Sequence, residues 1–231
     1  MPSNFSGKNY TGVAQGYDVD VVFCIDATGS MSPILDLVKT HALHFYDDVV
    51  REMAKKTKRI DNFRVRVIAF RDYVYDKEAA MLNTDFFNLP AQGPALEAVL
   101  RSIKPEGGGD DPEDGLEAVG YAIKSKWSNE PGKKKRNIIV VWSDEGTHPI
   151  GFGKSAANYP TKMAKTFSEL TEWWNAMDTT SKRMLLYAPE KESWVTIANV
   201  WDNVLIFPSE AGKGLDKVTY EEILLAVANS I

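Results

Sequence analysis

The stretch "VDVVFCIDATGSMSP", residues 19–33, decides the fold. A near-continuous apolar run stops at Asp26, and Thr28 and Ser30 follow at alternate positions. Short apolar runs with little alternation read as strands covered on both faces. Similar runs recur at residues 63–70, 138–142, 184–188 and 204–207. The run "FRVRVIAF" opens with alternation, so its start is expected to be half-exposed. Residues 79–89 are expected to add a short edge strand.

Helical periodicity lies between these runs. Ile34, Val38, Ala42, Phe45, Val49 and Met53 share one stripe, with Ser32 as the expected N-cap and Pro33 at the first helical position. Met163, Phe167, Leu170, Trp174 and Met177 form a second stripe, read as core packing. Thr219 and Glu222 have capping-box spacing ahead of Ile223, Leu224 and Val227. Strand and helix in repeated alternation predict an α/β fold: a doubly wound, mostly parallel six-stranded sheet flanked by helices. One such domain accounts for residues 18–231, after a loose, flexible arm at 1–17. Ligands of such sheets bind at the carboxyl ends of the strands, where strand order reverses.

Composition narrows the function classes. With 44% apolar and 26% charged residues the chain has an ordinary globular balance. No apolar stretch reaches the roughly 20 residues of a membrane span, and the start, "MPSNFSGKNYTG", has no features of a secretory signal. A net charge of −5 argues against nucleic acid as the main partner. The basic run 133–136 reads as a solvated turn. The single cysteine, Cys24, is expected to be a small buried hydrophobe, and one thiol without a partner makes the cytoplasm the expected location.

Three loops carry unusual chemistry: "DATGS" (26–30), "EGGGDDPEDG" (106–115) and "SDEGTHP" (143–149). In an extended chain, residues two apart lie roughly 6.6 Å apart. Oxygens around a small divalent cation lie about 3 Å from one another. Asp26, Thr28 and Ser30 can therefore share an ion only if the chain curls after the strand, which Gly29 permits. Hydroxyls and a carboxylate are hard donors, suited to Mg²⁺ or Mn²⁺ rather than zinc. The following helix N-terminus repels a cation, so Asp110 and Asp144 are the natural carboxylates to offset it. An Asx-type turn with a helix cap is the plainer alternative for 26–30.

D-x-T-G-S at the end of the first strand resembles the metal-ion-dependent adhesion site of von Willebrand factor A domains, whose pattern is D-x-[S/T]-x-S. The resemblance covers essentially residues 18–231 and makes Asp144 the aspartate of the later strand. Where that family usually carries a threonine, this chain has Asp110. "DATGSM" (26–31), "FRDY" (70–73) and "GGGDDPED" (107–114) resemble an intracellular branch found beside protein kinases and in bacterial stress or defence systems. The resemblance implies a metal-dependent protein-binding module acting as an intracellular interaction or scaffold protein. Mg²⁺ or Mn²⁺, with Ca²⁺ a further candidate, would be held by Asp26, Thr28, Ser30, Asp110 and Asp144. An open coordination position would accept an acidic or other oxygen-bearing side chain of a protein partner, with no nucleic acid or membrane involved.

Asp72, Tyr73, Asp111, Glu145 and His148 are the expected rim. For Asp72, holding a loop is the other reading; for Asp111, support of the ligands; for His148, a satisfied loop histidine. Glu113 and Asp114 are read as partners of a helix dipole. The other class considered is a Mg²⁺-dependent phosphohydrolase with Asp26 as nucleophile. Thr28 stands where such an enzyme would place an acid/base aspartate. No catalytic constellation is otherwise legible.

Overall fold

The computed structural model describes residues 16–107 and 112–231. The apolar runs form the central strands β1 (Gly16–Asp26), β2 (Arg59–Phe70), β5 (Lys134–Trp142), β6 (Lys182–Pro189) and β7 (Val204–Ser209). All five pair in parallel, in the order β2-β1-β5-β6-β7. The expected edge element becomes two short strands, β3 (Met81–Asn83) and β4 (Phe87–Leu89), each antiparallel to β2. Among the described residues the sheet thus has seven strands, the six expected and one more from the split edge element. β2 is exposed only towards its start, as its alternation predicted.

Helices cover both faces. On one lie α1 (Ser32–His41), α2 (Phe45–Lys55), α3 (Gly93–Ser102) and α7 (Tyr220–Ser230). On the other lie α4 (Gly115–Ile123), α5 (Phe167–Asn175) and α6 (Glu192–Val200). Two buried clusters result, one on each side of a sheet whose inner strands have no exposed face. Among the described residues, no helix is long and apolar enough to cross a membrane.

Several local expectations are corrected. The stripe from Ile34 to Met53 is two helices, because the chain turns at residues 42–44. The turn leaves Val38, Ala42, Phe45 and Val49 all packed on the same cluster. Ser32 is not an N-cap: a short 3-10 turn (Gly29–Met31) runs directly into α1, and Met31 holds the cap position. The basic residues 134–136 belong to β5, where Arg136 stands opposite Val19. Gly16 and Tyr17 begin β1, and Tyr17 is buried. The capping box of Thr219 and Glu222 forms with both reciprocal bonds. Cys24 is wholly buried, and burial pushes its thiol up to about 12.

β1 sits at the topological switch. From it the chain builds β2 on one side, and β5, β6 and β7 on the other. The crevice above the carboxyl ends of β1 and β5 is where this fold class opens to ligands.

Candidate metal centre

Asp26 ends β1 and is fully buried. Beyond it the chain curls as the donor spacing requires. Oδ1 of Asp26 accepts from the Thr28 backbone N–H at 3.0 Å and from the Thr28 hydroxyl at 2.7 Å. Thr28 Oγ1 lies 3.5 Å from Ser30 Oγ. Ser30 Oγ donates to Asp144 Oδ1 at 3.0 Å, which joins the loop after β1 to the loop after β5. Asp26 and Thr28 are buried while Gly29 and Ser30 are exposed, so this row of oxygens reaches solvent at one end.

Two groups that sequence reasoning missed complete the arrangement. Ser143 Oγ donates to Asp26 Oδ2 at 3.0 Å, so both oxygens of this carboxylate are engaged. Gly214, in the loop between β7 and α7, donates its N–H to Asp144 Oδ2 at 2.7 Å, and Gly212 donates to the Asp144 carbonyl at 2.8 Å. Gly214 has φ +58°, and a Cβ there would fall 2.0 Å from the Ser30 carbonyl oxygen. Only glycine permits so close an approach in that conformation.

The donor set fits a small hard cation. Oxygens held roughly 2.1 Å from an ion lie about 3 Å from their neighbours. The steps from Asp26 to Thr28, Thr28 to Ser30 and Ser30 to Asp144 measure 2.7, 3.5 and 3.0 Å. Hydroxyls make up much of the set: among the described residues, no group of three His, Cys, Asp or Glu side chains is arranged to hold a metal. Burial lifts the Asp26 carboxyl to about 6; hydrogen bonds from Thr28 oppose this, and the nearby Asp144 adds to it. Asp110 and Asp111 lie outside the described residues.

The expected rim residues separate. Glu145 is partly exposed, with its carboxylate 3.5 Å from Lys191 Nζ, and remains at the rim. Asp72, Tyr73 and His148 are buried, so a rim role does not fit them in this arrangement. Asp72 holds a loop instead: Oδ1 accepts from the Val74 and Tyr75 N–H groups at 2.5 and 2.8 Å. Its Oδ2 lies 3.0 Å from His148 Nε2, without hydrogen-bond alignment. His148 stacks on Phe152 at 3.7 Å.

Asp114, expected to serve a helix dipole, stands at the N-cap of α4, and its Oδ2 accepts from the Tyr73 N–H at 2.7 Å. Burial first, then the neighbouring Glu117, raises the Asp114 carboxyl to about 7. Glu117 accepts from Gly151 N–H at 2.8 Å and from the Tyr159 hydroxyl at 2.7 Å, and its carboxyl is also raised by burial. This second nest of acids lies under the loop 147–159.

The nucleophile reading of Asp26 finds no support. Thr28, which stands where an acid/base aspartate would be needed, instead bonds to Asp26 through both its N–H and its hydroxyl. The chain before residue 108 is irregular rather than a strand.

Comparison with known proteins agrees with this topology. Two crystal structures of the pilus adhesin SpaC from Lactobacillus rhamnosus GG, one of them an open conformation, superpose with TM-scores of 0.53 and 0.52 at 13% identity. Each match covers 92% of this chain and 30% of the adhesin, so this chain spans under a third of that protein's length. At that identity the likeness speaks for the fold alone. No curated protein matches the chain. The family profile for the von Willebrand factor type A domain matches residues 21–147, from within β1 through the loop that carries Asp144. The chain belongs to the von Willebrand factor type A domain family.

Proposed function

We propose that the chain is a metal-ion-dependent protein-binding module and not an enzyme. The observation that carries this reading is the continuous row of oxygens from Asp26 through Thr28 and Ser30 to Asp144. Asp26 and Asp144 bring two carboxylates to the carboxyl ends of adjacent strands, joined by hydroxyl donors. Two anions this close and this buried are costly unless a cation offsets them. Mg²⁺ is the expected occupant; Mn²⁺ and Ca²⁺ share its preference for oxygen. Asp110 would add a third carboxylate from its own loop.

When bound, such an ion supplies a Lewis-acidic anchor for a partner's oxygen. The chain's own groups do the rest. Ser143 and Gly214 fix the rotamers of Asp26 and Asp144, so the ligands need little reorganisation. Exposed Ser30 and Gly29 leave the approach open, and Glu145 and Lys191 give it a charged border. With Asp110 ionised, three carboxylates around a divalent ion leave one net negative charge. That charge favours retention of the metal and weakens attraction for an acidic side chain, which points to a neutral oxygen on the partner. A cytoplasmic interaction or scaffold role, in a bacterial stress or defence system, is the setting that the sequence signatures favour.

Calorimetric titration of Mg²⁺ into the protein, followed by capture of partners with and without EDTA, tests the reading. Wild type should bind Mg²⁺ and retain a partner only when metal is present, and Asp26→Ala should do neither. Capture by wild type that is undiminished in EDTA, or capture by Asp26→Ala at the wild-type level with Mg²⁺ present, would contradict it. Asp110→Thr tests the charge argument: weaker Mg²⁺ binding is expected, and equal or tighter binding refutes the retention role.

A further inference from the structure

Arg71 follows β2 directly and is buried at 8% exposure. Its guanidinium donates to four backbone carbonyls. Nε reaches Ala27 O at 3.1 Å and Glu106 O at 2.6 Å, Nη1 reaches Ala79 O at 2.8 Å, and Nη2 reaches Lys104 O at 2.6 Å. The Glu106 N–H also donates to Ala27 O, at 3.1 Å. Ala27 joins Asp26 to Thr28: its carbonyl belongs to the peptide that leads into Thr28, and its N–H, in the peptide that leaves Asp26, donates to Phe70 O at 3.0 Å, so the linking residue is held on both sides. The Arg71 backbone adds two more ties, its N–H to Ala80 O at 2.8 Å and its carbonyl accepting from Asp114 N–H at 3.2 Å.

Gly107 closes the same joint from the far side. Its φ is +87°, and a Cβ there would lie 2.1 Å from Asp76 Oδ1 and 2.9 Å from Arg71 Cδ. Segment 104–107 is thus seated on the arginine with no room for a larger residue. A planar fork with five donors in fixed directions can hold several carbonyls at once; a lysine ammonium holds one geometry less firmly.

We propose that Arg71 is a positioning residue for the metal centre: its guanidinium locks the Ala27 carbonyl against segment 104–107 and so presets the ligands Asp26 and Thr28. This inference rests on the metal reading above. Groups that orient ligands without touching the ion are worth about 10–100-fold in metal affinity when removed. The nature of the fork predicts a graded series. Arg71→Gln, which loses the charge and most donors, should weaken Mg²⁺ binding at least tenfold. Arg71→Lys should fall between Gln and wild type.

The test is calorimetric Mg²⁺ titration of wild type, Arg71→Lys and Arg71→Gln, with circular dichroism and melting temperature recorded in EDTA. A purely structural arginine would lower the melting temperature and leave the Kd of the folded protein unchanged. The proposal expects native spectra, weaker Mg²⁺ binding in the order wild type, Lys, Gln, and faster amide exchange at Thr28 and Glu106. Wild-type affinity in both variants overturns the positioning role while the metal reading stands. Absence of Mg²⁺ binding by wild type overturns both. Should neither variant fold, Gly107→Ala addresses the same joint: weakened binding supports the proposal, and wild-type affinity overturns it.

Discussion

Two nests of buried acids lie at the same edge of the sheet, and they are built differently. In one, Asp26 and Asp144 are linked by small hydroxyls, and the row of oxygens ends at exposed Ser30. In the other, Asp72, Asp114 and Glu117 lie beneath a loop sealed by aromatic contacts, His148 on Phe152 and Tyr73 on Tyr159. Its donors are backbone amides and a tyrosine hydroxyl, which hold single oxygens in place and close the loop. Among the described residues Asp114 Oδ1 and Glu117 Oε2 have no hydrogen-bond partner, consistent with carboxyls raised by burial first, with Glu117 adding to the rise of Asp114 and Asp72 to that of Glu117. Acidity alone therefore does not make a cation site. Hydroxyl spacing and an open end distinguish the first nest, and burial beneath a sealed loop distinguishes the second.

The sharpest way to break this comparison is to remove one carboxylate from each nest. Asp26→Ala should weaken Mg²⁺ binding by at least about 100-fold, whereas Asp114→Asn should leave it within about twofold. Calorimetry reads both. Equal losses would erase the distinction.

Gly214→Ala comes next. Its φ of +58° and the 2.0 Å approach to the Ser30 carbonyl leave no room for a methyl group. A strained backbone of this kind costs about 1–3 kcal/mol, and about 1 kcal/mol moves the melting temperature of a 150–250-residue domain by about 2–4 °C. A drop of several degrees in a thermal melt, with weaker Mg²⁺ binding, is expected. An unchanged melt would show that the last loop is not pressed against the first.

The second nest predicts a pH dependence of stability. Asp114 has a folded value of about 7 against an ordinary 3.8, so the folded state holds a proton that the unfolded chain releases. This contribution is full below about 4 and is lost as pH rises through about 7. Glu117, also raised, acts in the same direction. Denaturation in EDTA at pH 5 and pH 8 should show lower stability at pH 8, and Asp114→Asn should narrow the gap. A gap of wild-type size in Asp114→Asn would place the buried charge elsewhere.

The smallest effect is expected of Ser143→Ala, which removes one hydrogen bond to Asp26 Oδ2. One such bond is worth about 1–1.5 kcal/mol, which corresponds to roughly a fivefold to tenfold weaker Mg²⁺ Kd. No change would mean that Ser143 does not orient Asp26.

The comparison also marks what was legible in the sequence. Strands covered on both faces leave apolar runs, so β1, β5, β6 and most of β2 could be read directly, and β7 by its short apolar run although its edge position leaves it partly exposed. Donors close in sequence, Asp26, Thr28 and Ser30, were legible because one local curl brings them together. The bonding roles of Arg71, Ser143 and Gly214 were not, although "FRDY" and "SDEGTHP" contain the first two, since their bonds span 35, 117 and 70 residues and have no local pattern. A rim position is expected for Asp72, Tyr73 and His148 because polar loop residues are exposed by default, but all three are buried, which fits the loop-holding reading of Asp72 and the loop-histidine reading of His148. Here one loop folds over them and supplies their partners. The break between α1 and α2 was hidden because the apolar stripe continues across it. Neither α3 nor α6 carries a pattern read above, and residues 79–89, read as one short edge strand, form two.

The most direct test of the metal centre is a crystal structure with Mn²⁺ and its anomalous difference map. A single strong peak is expected among Asp26, Thr28, Ser30 and Asp144, within coordination distance of their oxygens. No peak there, or one only between Asp114 and Glu117, would contradict the account.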